Sequence, residues 1–138
     1  NGDYFNTFGG NPVSCAAALA VLDVIEEEGL QQSALEVGQH LKEGLRQLGS
    51  VHRCIGDVRG NGLFLALELV SDREQRSPDG GLAGSVVNDL FDRGVLTGVI
   101  GHDRNILKVR PHMVISLADA DVMLERLDDV LKAGVAHS

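Results

Sequence analysis

Glycines divide this chain into short patterned segments, and that division limits what the chain can fold into more than any other feature. The chain has 17 glycines in 138 residues. Gly29, Gly49 and Gly94 each follow a segment whose apolar residues recur at helical spacing, and glycine commonly follows the last turn of a helix. The pattern therefore predicts several short helices and strands joined by tight turns, with no internal repeat.

Two of the predicted helices begin at recognisable signals. Asn11 is a preferred N-cap residue, and Pro12 fits the first position of a helix. Near the C-terminus, Ser116 and Asp119 approximate a capping box, in which each side chain bonds the free backbone amide of the other residue. The predicted helices are residues 12–28, residues 31–48, residues 82–93 and a last helix that begins after Ser116.

Extended segments lie between the second and third helices and again before the last one. Glycines break the first of these segments, where an Arg-Gly-Asn-Gly sequence is typical of a turn. The remaining predicted elements are extended chain over 51–69 with a turn at 59–62 and a strand at 63–69, a surface loop at 71–81, strands at 95–100 and 106–109, and a turn at 101–105. The order α-α-β-β-α-β-β-α predicts an α+β fold, with one small, mostly antiparallel sheet and helices packed on it.

Charge, hydropathy and cysteine content exclude several classes of protein. The formal net charge is −8, and so acidic a surface repels a phosphate backbone, so we expect no nucleic-acid partner. The longest apolar stretch, 13–25, is shorter than the roughly 20 residues that span a bilayer, so we expect no membrane partner. Cys15 and Cys54 form no disulfide framework, which is typical of a reducing compartment and predicts a cytoplasmic location. The histidine spacing suits no metal.

The loop ahead of the first helix is the most informative segment. Thr7 lies a few residues before the helix, and we expect Gly9 and Gly10 to leave backbone amides uncovered. A hydroxyl group and free amides near a helix N-terminus favour an anion such as phosphate. The alternative is a glycine-rich turn that only leads into a capped helix.

Five blocks of sequence, in a fixed order along the chain, carry a resemblance to a known family. They are T-F-G-G-N-P at 7–12 with an Ala-rich helix after it, V-R-G-N-G-L-F at 58–64, R-G-V-L at 93–96, N-I-L-K-V-R-P at 105–111 and I-S at 115–116. In these blocks the chain resembles the class III family of pyridoxal-phosphate-dependent aminotransferases. The resemblance implies the C-terminal small domain of a fold-type I transferase. It makes residues 1–50 the cofactor-phosphate loop and connecting helices, and residues 51–138 the α+β small domain.

The resemblance also implies roles for the loop residues. In the family, the threonine of this loop binds the phosphate of pyridoxal 5′-phosphate in the neighbouring subunit's site. That implies the same role for Thr7, with Phe8 and Gly9 shaping the loop, and a homodimeric enzyme. The physical chemistry agrees, because a phosphate dianion favours hydrogen-bond donors held on a rigid loop.

The resemblance places the remaining catalytic groups outside this chain. In the family, the lysine that forms a Schiff base with the cofactor and the acid that contacts the pyridine nitrogen both precede the phosphate loop. Lys42, Lys108 and Lys132 are the three lysines of this chain, and none follows the motif of the Schiff-base lysine. We therefore expect no catalytic residue in this chain, no transamination by the chain alone, and a longer enzyme of which it is a fragment.

Two cations near the end of the fourth block are the candidate substrate-binding residues. Many family members carry an arginine that clamps the substrate carboxylate where this chain has Lys108, and Arg110 follows two residues later. Alternate residues of a strand share a face, so both side chains could face one anion. The alternative is a pair of ordinary cations at a strand edge.

The resemblance implies an enzyme that moves an amino group from an amine or amino acid to a 2-oxo acid. A lysine at this strand position also occurs in a branch of the family that eliminates phosphate from phosphoamines. A phospho-lyase is therefore the alternative within the family. An α+β interaction module that kept the fold and lost the chemistry is the alternative from a different class.

Overall fold

The chain folds into helices and strands in nearly the order that the sequence pattern predicts. The structure is a computed structural model that describes residues 5–135. Its elements are α1 (Pro12–Glu27), α2 (Leu30–Val51), β1 (Ile55–Asn61), β2 (Phe64–Asp72), β3 (Ser77–Pro78), α3 (Gly80–Asp92), β4 (Val99–Ile100), β5 (Ile106–Val109) and α4 (Leu117–Val135). The predicted α+β class is confirmed, and within the described range the pattern misses β3.

The strands pair antiparallel in the order β1-β2-β5-β4, and β3 adds to β2.

The predicted turn at 59–62 is wrong, because β1 continues through Arg59 to Asn61 before the chain turns into β2. Gly60 permits this pairing: its φ is 122°, and a Cβ there would lie 2.2 Å from the carbonyl oxygen of Phe64. Glycine at position 60 therefore serves the close pairing of the hairpin rather than its turn.

α2 and α3 pack against one face of the sheet, α4 packs against both helices, and the apolar core lies among these elements. Alternate side chains of β2 and β5 point into this core, and Leu65, Leu67 and Leu107 are among the most deeply buried. The helices contribute Val37, Leu41, Leu45, Ala83, Val86, Leu90, Ala120, Leu127, Val130 and Leu131. The opposite face, here called the helix-free face, carries no helix within residues 5–135, and Phe64 on it is 59% exposed.

α2 is longer than predicted at its C-terminal end. The sequence predicts a stop at Gly49, but the helix continues to Val51. The Arg73 guanidinium accounts for the extension, because it donates hydrogen bonds to the carbonyl oxygens of Gly49, His52 and Ile55. The last carbonyl groups of a helix need such partners. The partner here lies on another element, so the local sequence could not reveal it.

The predicted division of the chain at residue 50 falls inside α2. Buried side chains of this helix pack in the same core as the sheet, so α2 shares the core of the segment that follows it. The division into residues 1–50 and residues 51–138 concerns a longer enzyme, and it stays a prediction.

Two other segments differ from their predictions in strand content. The predicted loop at 71–81 contains the end of β2, the short strand β3 and the start of α3. Conversely, the predicted strand at 95–100 forms only at its end, in β4. The reason lies at Val95, whose amide donates to the carbonyl oxygen of Leu90 at 2.8 Å and so completes the end of α3.

α1 begins at the predicted N-cap but buries none of its side chains. The Asn11 Oδ1 atom accepts a hydrogen bond from the Ser14 amide at 3.0 Å, and Pro12 is the first helical residue, as predicted. Among the described elements, α1 contacts α2 alone. Its large exposed apolar side chains are Val13, Leu19, Val21, Leu22 and Val24. Despite this apolar character, no helix in the described range has the length and hydropathy needed to cross a membrane.

Candidate functional site

Two asparagine side chains hold the loop that carries Thr7. The Asn6 Oδ1 atom accepts hydrogen bonds from the amides of Phe8 at 3.2 Å and Gly9 at 3.1 Å. At the other end of the loop, Asn11 Nδ2 donates to the carbonyl oxygen of Phe8 at 2.9 Å while the same side chain caps α1. Thr7 is exposed between these two anchors, just ahead of the helix.

This geometry corrects one expectation about the loop. The Gly9 amide is not uncovered, because it donates to the side chain and to the carbonyl oxygen of Asn6. Gly10, with a φ of 76°, leaves open space where a Cβ would stand. Thr7 is exposed, and its hydroxyl is a neutral donor of the kind that a phosphate oxygen accepts from. The cofactor-binding roles of Thr7, Phe8 and Gly9 stay predictions.

Lys108 and Arg110 lie along one groove of about 850 Å³ at the end of β5. The groove runs between the segment 94–98 and the N-terminal half of α4. Its apolar lining includes Leu41, Val95, Leu96, Ile115, Val122 and Met123. The structure therefore brings the two predicted substrate-binding residues to one site, and the Thr7 loop of the same chain does not line that site.

Hydrogen bonds fix the backbone of Lys108. Its amide donates to the carbonyl oxygen of Gly98, and its own carbonyl oxygen accepts from the Thr97 hydroxyl, both at 2.9 Å. The neighbouring residues of β5 on either side are buried in the core. Because strand residues alternate between faces, the Lys108 side chain points to the helix-free face.

The cations of the groove are not neutralised by nearby carboxylates. Neither Lys108 nor Arg110 forms an ion pair in the part of the chain that the structure describes. The carboxyl group in the lining belongs to Asp119, and hydrogen bonds from the hydroxyl and amide of Ser116 hold the pKa of Asp119 below its ordinary value. The Asp119 carboxylate is thus engaged in the predicted capping box of α4, which is confirmed. Both cations remain available to an anion.

His112 and Arg126 also line the groove, and the sequence reasoning does not identify them. Arg110 and His112 both follow the end of β5 at Val109, so the expected strand alternation does not place their side chains, and the lining of the groove is what brings them near Lys108. Arg126 lies on α4, and its guanidinium donates to the carbonyl oxygen of Arg93 at the end of α3. No local sequence pattern indicates that contact.

A charged cluster lies on the helix-free face of the β1–β2 hairpin. Arg59 Nη1 binds Asp57 Oδ2 at 2.8 Å and Glu68 Oε2 at 2.6 Å. The hydrogen bonds to Asp57 and to Glu68 raise the pKa of Arg59 above its ordinary value. Sequence reasoning places Arg59 in a turn, and the cluster depends on the strand register that replaces this turn.

The cysteines and the acidic groups add no further candidate chemistry. Cys15 is exposed, and Cys54 is half-buried in a second groove, where burial raises the pKa of its thiol. Within the described range, no group of three or more His, Cys, Asp or Glu side chains could hold a metal ion. The candidate chemistry of the described residues therefore rests on the Thr7 loop and on the groove of Lys108.

Comparison with known proteins identifies the family. The family model of class III aminotransferases matches residues 1–131. The chain therefore belongs to the class III aminotransferase family, and the resemblance carried by the five sequence blocks is confirmed.

Three relatives illustrate the range of this family. Alanine–glyoxylate aminotransferase 2 homolog 2, mitochondrial, of Arabidopsis thaliana is 47% identical over 91% of the chain. A solved structure of a phospholyase from Arthrobacter in complex with phosphoethanolamine matches 94% of the chain at 36% identity, with a TM-score of 0.88. An amine transaminase from an uncultivated Pseudomonas species, solved in a pyridoxal-phosphate-bound form, covers 94% at 35% identity, with a TM-score of 0.85.

The chain spans less than a third of these relatives. It covers 26% of the Arabidopsis protein, 31% of the Arthrobacter chain and 29% of the Pseudomonas chain. These neighbours confirm the predicted likeness to fold-type I pyridoxal-phosphate transferases. Pyridoxal 5′-phosphate is the cofactor of the family, as the resemblance implies.

Proposed function

We propose that this chain is the C-terminal part of a longer, pyridoxal-phosphate-dependent class III enzyme. That enzyme moves an amino group from an amine or amino acid to a 2-oxo acid. The family match over residues 1–131 and the 26% share of the Arabidopsis aminotransferase support this proposal. In this enzyme, residues 1–50 carry the cofactor-phosphate loop and connecting helices, and residues 51–138 form the small domain.

The Thr7 loop is proposed to hold the cofactor phosphate across a homodimer interface. The Thr7 hydroxyl donates to a phosphate oxygen, while Phe8 and Gly9 shape the loop that Asn6 and Asn11 already hold in place. When bound, pyridoxal phosphate supplies an electron sink for the bonds around the substrate's amine-bearing carbon. The catalytic residues that act on that carbon lie outside this chain in the proposal.

The pair of unpaired cations in the groove is the observation that carries the proposed substrate contact. Lys108 and Arg110 line the same groove and have no carboxylate partner among the described residues. They hold the anionic group of an amino acid or a 2-oxo acid by charge-assisted hydrogen bonds.

A phospho-lyase that acts on a phosphoamine is the second candidate function. The Lys108 ammonium is a compact charge that suits a phosphate group, whereas arginine offers a planar fork that matches a carboxylate. The likeness to an Arthrobacter phospholyase in complex with phosphoethanolamine supports this candidate. The two candidates share the same cofactor and the same groove, so they differ in the anion that Lys108 meets.

Substitution of Lys108 tests the substrate contact and separates the two candidates. In the longer enzyme, Lys108→Ala is expected to lower kcat/KM about 10- to 100-fold, because a hydrogen bond to a charged group contributes about 1.5–3 kcal/mol. Cofactor affinity should stay unchanged. Lys108→Arg should preserve or raise the activity of a transaminase that clamps a carboxylate, and it should lower the activity of a phospho-lyase on its phosphoamine. Steady-state kinetics with both substrate classes provide the measurement.

Two further variants complete this experiment. Arg110→Ala, measured in parallel, shows whether the second cation shares the contact. Arg46→Ala is the matched control, because it removes an exposed cation that lines neither described groove. If neither Lys108→Ala nor Arg110→Ala changes the kinetics on any accepted substrate, both are ordinary strand-edge cations and the substrate contact is wrong.

A non-catalytic interaction module is the alternative from outside the enzyme family. The module is favoured if the reading frame begins close to Asn1, and the enzyme is favoured if a lysine-bearing large domain precedes it. The cytoplasmic location stays a prediction, since the Arabidopsis relative is described as mitochondrial.

A further inference from the structure

Two cations and a small residue line up across the helix-free face of the sheet. In the strand register, Arg59 of β1 pairs with Ala66 of β2, and Ala66 pairs with Lys108 of β5. Ala66 extends no further than its Cβ, so no side chain separates Arg59 from Lys108 in this row. The two cations are therefore near neighbours on one surface.

Glu68 lies on the same face of β2 as Ala66, two residues further along the strand. It is therefore offset by two residues from Arg59 on one neighbouring strand and from Lys108 on the other. It pairs with Asp57 on one side and with Ile106 on the other. It is therefore the diagonal neighbour of Arg59 and also the diagonal neighbour of Lys108. Diagonal neighbours in a sheet lie within reach of long side chains. The Glu68 carboxylate can thus bind either cation, but its position alone does not decide which.

The structure shows which cation holds the carboxylate. Glu68 Oε2 lies 2.6 Å from Arg59 Nη1, and Asp57 Oδ2 lies 2.8 Å from the same nitrogen. The Lys108 ammonium forms no ion pair within residues 5–135. The hydrogen bonds to Asp57 and then to Glu68 raise the pKa of Arg59.

We propose that Arg59 is a positioning residue that keeps Lys108 free for the substrate anion by holding Glu68 away from it. The inference rests on the proposed function, which places a substrate anion at Lys108. Without Arg59, the Glu68 carboxylate turns to the nearest remaining cation on its face and competes with the substrate there. Arg59 itself touches no substrate, and its effect passes entirely through Glu68.

The three lysines of the chain allow a direct test. Reductive methylation with ¹³C-formaldehyde keeps the lysine charge and gives each lysine a separate methyl signal in NMR spectra. Lysine-to-arginine variants assign the signals, and Lys42 and Lys132 serve as internal references. Inorganic phosphate, added at fixed ionic strength, is the probe anion. The experiment compares the unaltered chain with Arg59→Gln, Glu68→Gln and the double variant.

We expect Arg59→Gln to alter the Lys108 signal and its phosphate affinity, and the double variant to restore both. Arg59→Gln should move the Lys108 signal before any phosphate is added and should weaken phosphate binding at Lys108 about two- to fivefold, the size expected of an exposed ion pair. Adding Glu68→Gln should reverse both effects, because the competing carboxylate is then absent. Asp57→Asn is the matched control: it removes the other carboxylate from Arg59 but leaves Glu68 held, so it should change neither quantity.

Other outcomes overturn the inference and separate it from the proposed function. If Lys108 binds phosphate and Arg59→Gln leaves its signal or its phosphate affinity unchanged, Arg59 has no positioning role while the proposed function stands. If Glu68→Gln fails to reverse the effect, Arg59 acts through general structure, which also overturns the inference. If Lys108 responds to the variants but never to phosphate, the anion contact fails, and with it the proposed substrate site and the role of Arg59.

Discussion

At the scale of single residues, the Thr7 loop is ordered by its own side chains before any ligand meets it. Asn6 occupies the amides of Phe8 and Gly9, and Asn11 binds the Phe8 carbonyl oxygen. A loop held in this way loses less conformational freedom when it binds an anion than an untethered loop does. Thr7 itself makes none of these contacts, so in the proposed cofactor contact it acts through its hydroxyl.

Thr7→Ala in the longer enzyme should weaken the binding of pyridoxal phosphate about 10- to 100-fold. The loss of a hydrogen bond to a charged phosphate, worth about 1.5–3 kcal/mol, is the reason. The dissociation constant, obtained by dialysis and cofactor absorbance, provides the measurement. Thr7→Ser keeps the hydroxyl and is the matched control, with near-normal affinity. In mixed dimers the defect should be complemented, because the loop is proposed to serve the other subunit. Unchanged affinity in Thr7→Ala removes Thr7 from the site.

The sequence predicts the candidate substrate-binding residues of the groove, but it does not predict the ion pair that is proposed to position Lys108. Lys108 and Arg110 are predicted from a family block, and both line the groove, but Arg110 follows the end of β5 and does not alternate with Lys108 along a strand. Arg59 belongs to another block, but its partner Glu68 is nine positions away and becomes a neighbour only through the register of the hairpin. A register is a property of two strands together, so a pattern within one segment does not reveal it.

At the scale of elements, the contact between α2 and the β1–β2 hairpin depends on two glycines. A Cβ on Gly38 would lie 2.3 Å from the carbonyl carbon and oxygen of Gly62, far inside van der Waals contact. Nearby, Lys42 Nζ donates to the carbonyl oxygen of Gly60 at 2.7 Å. The helix and the hairpin thus meet backbone to backbone, with no room for a side chain between them.

Gly38→Ala should lower the free energy of unfolding by about 1–3 kcal/mol, because overpacking forces the helix away from the hairpin backbone. This loss should appear although alanine favours a helix over glycine by about 1 kcal/mol. Gly84→Ala is the matched control, since Gly84 also lies inside a helix and a Cβ there meets nothing within 4 Å. That variant should be neutral or stabilising. Urea denaturation followed by circular dichroism measures both, and equal stability of the two variants contradicts the close contact.

The helix boundaries show where the local sequence is sufficient to predict the structure and where it is not. Helix starts are local, and the caps at Asn11 and at Ser116 form as predicted. The end of α2 is not local, because Arg73 from beyond β2 binds the carbonyl oxygens of Gly49 and of the C-cap residue His52 as the helix continues past Gly49. Glycine signals a helix end only when nothing distant supplies partners for the last turn.

At the scale of the whole molecule, the order of segments predicts the fold class but not the order of strands. The antiparallel sheet and its helices follow from alternating and helical spacing along the chain. The placement of Ile106–Val109 directly beside β2, with α3 between them in sequence, follows from how the leucines of both strands share one core. Such long-range pairing is decided by packing, which no single segment encodes.

The isolated 138-residue chain should form no stable covalent adduct with pyridoxal phosphate. None of the three lysines follows the family's Schiff-base motif; Lys42 donates to the Gly60 carbonyl oxygen, and the hydrogen bond to Asp128 raises the pKa of Lys132. Lys108 forms no ion pair within residues 5–135, so labelling at Lys108 decides the test. Incubation with the cofactor, borohydride reduction and peptide mass spectrometry provide the test. Scattered, substoichiometric labelling agrees with the proposal, whereas a stoichiometric adduct at a single lysine contradicts it.

The stability of α1 is coupled to the order of the Thr7 loop. A helix of 16 residues with no buried side chain holds little free energy of its own in water. Its N-cap, Asn11, is also the side chain that ties down the Thr7 loop, so helix and loop gain or lose order together. Any surface that covers α1 therefore prepares the loop for a phosphate, and a phosphate held by the loop strengthens that cover by the same factor.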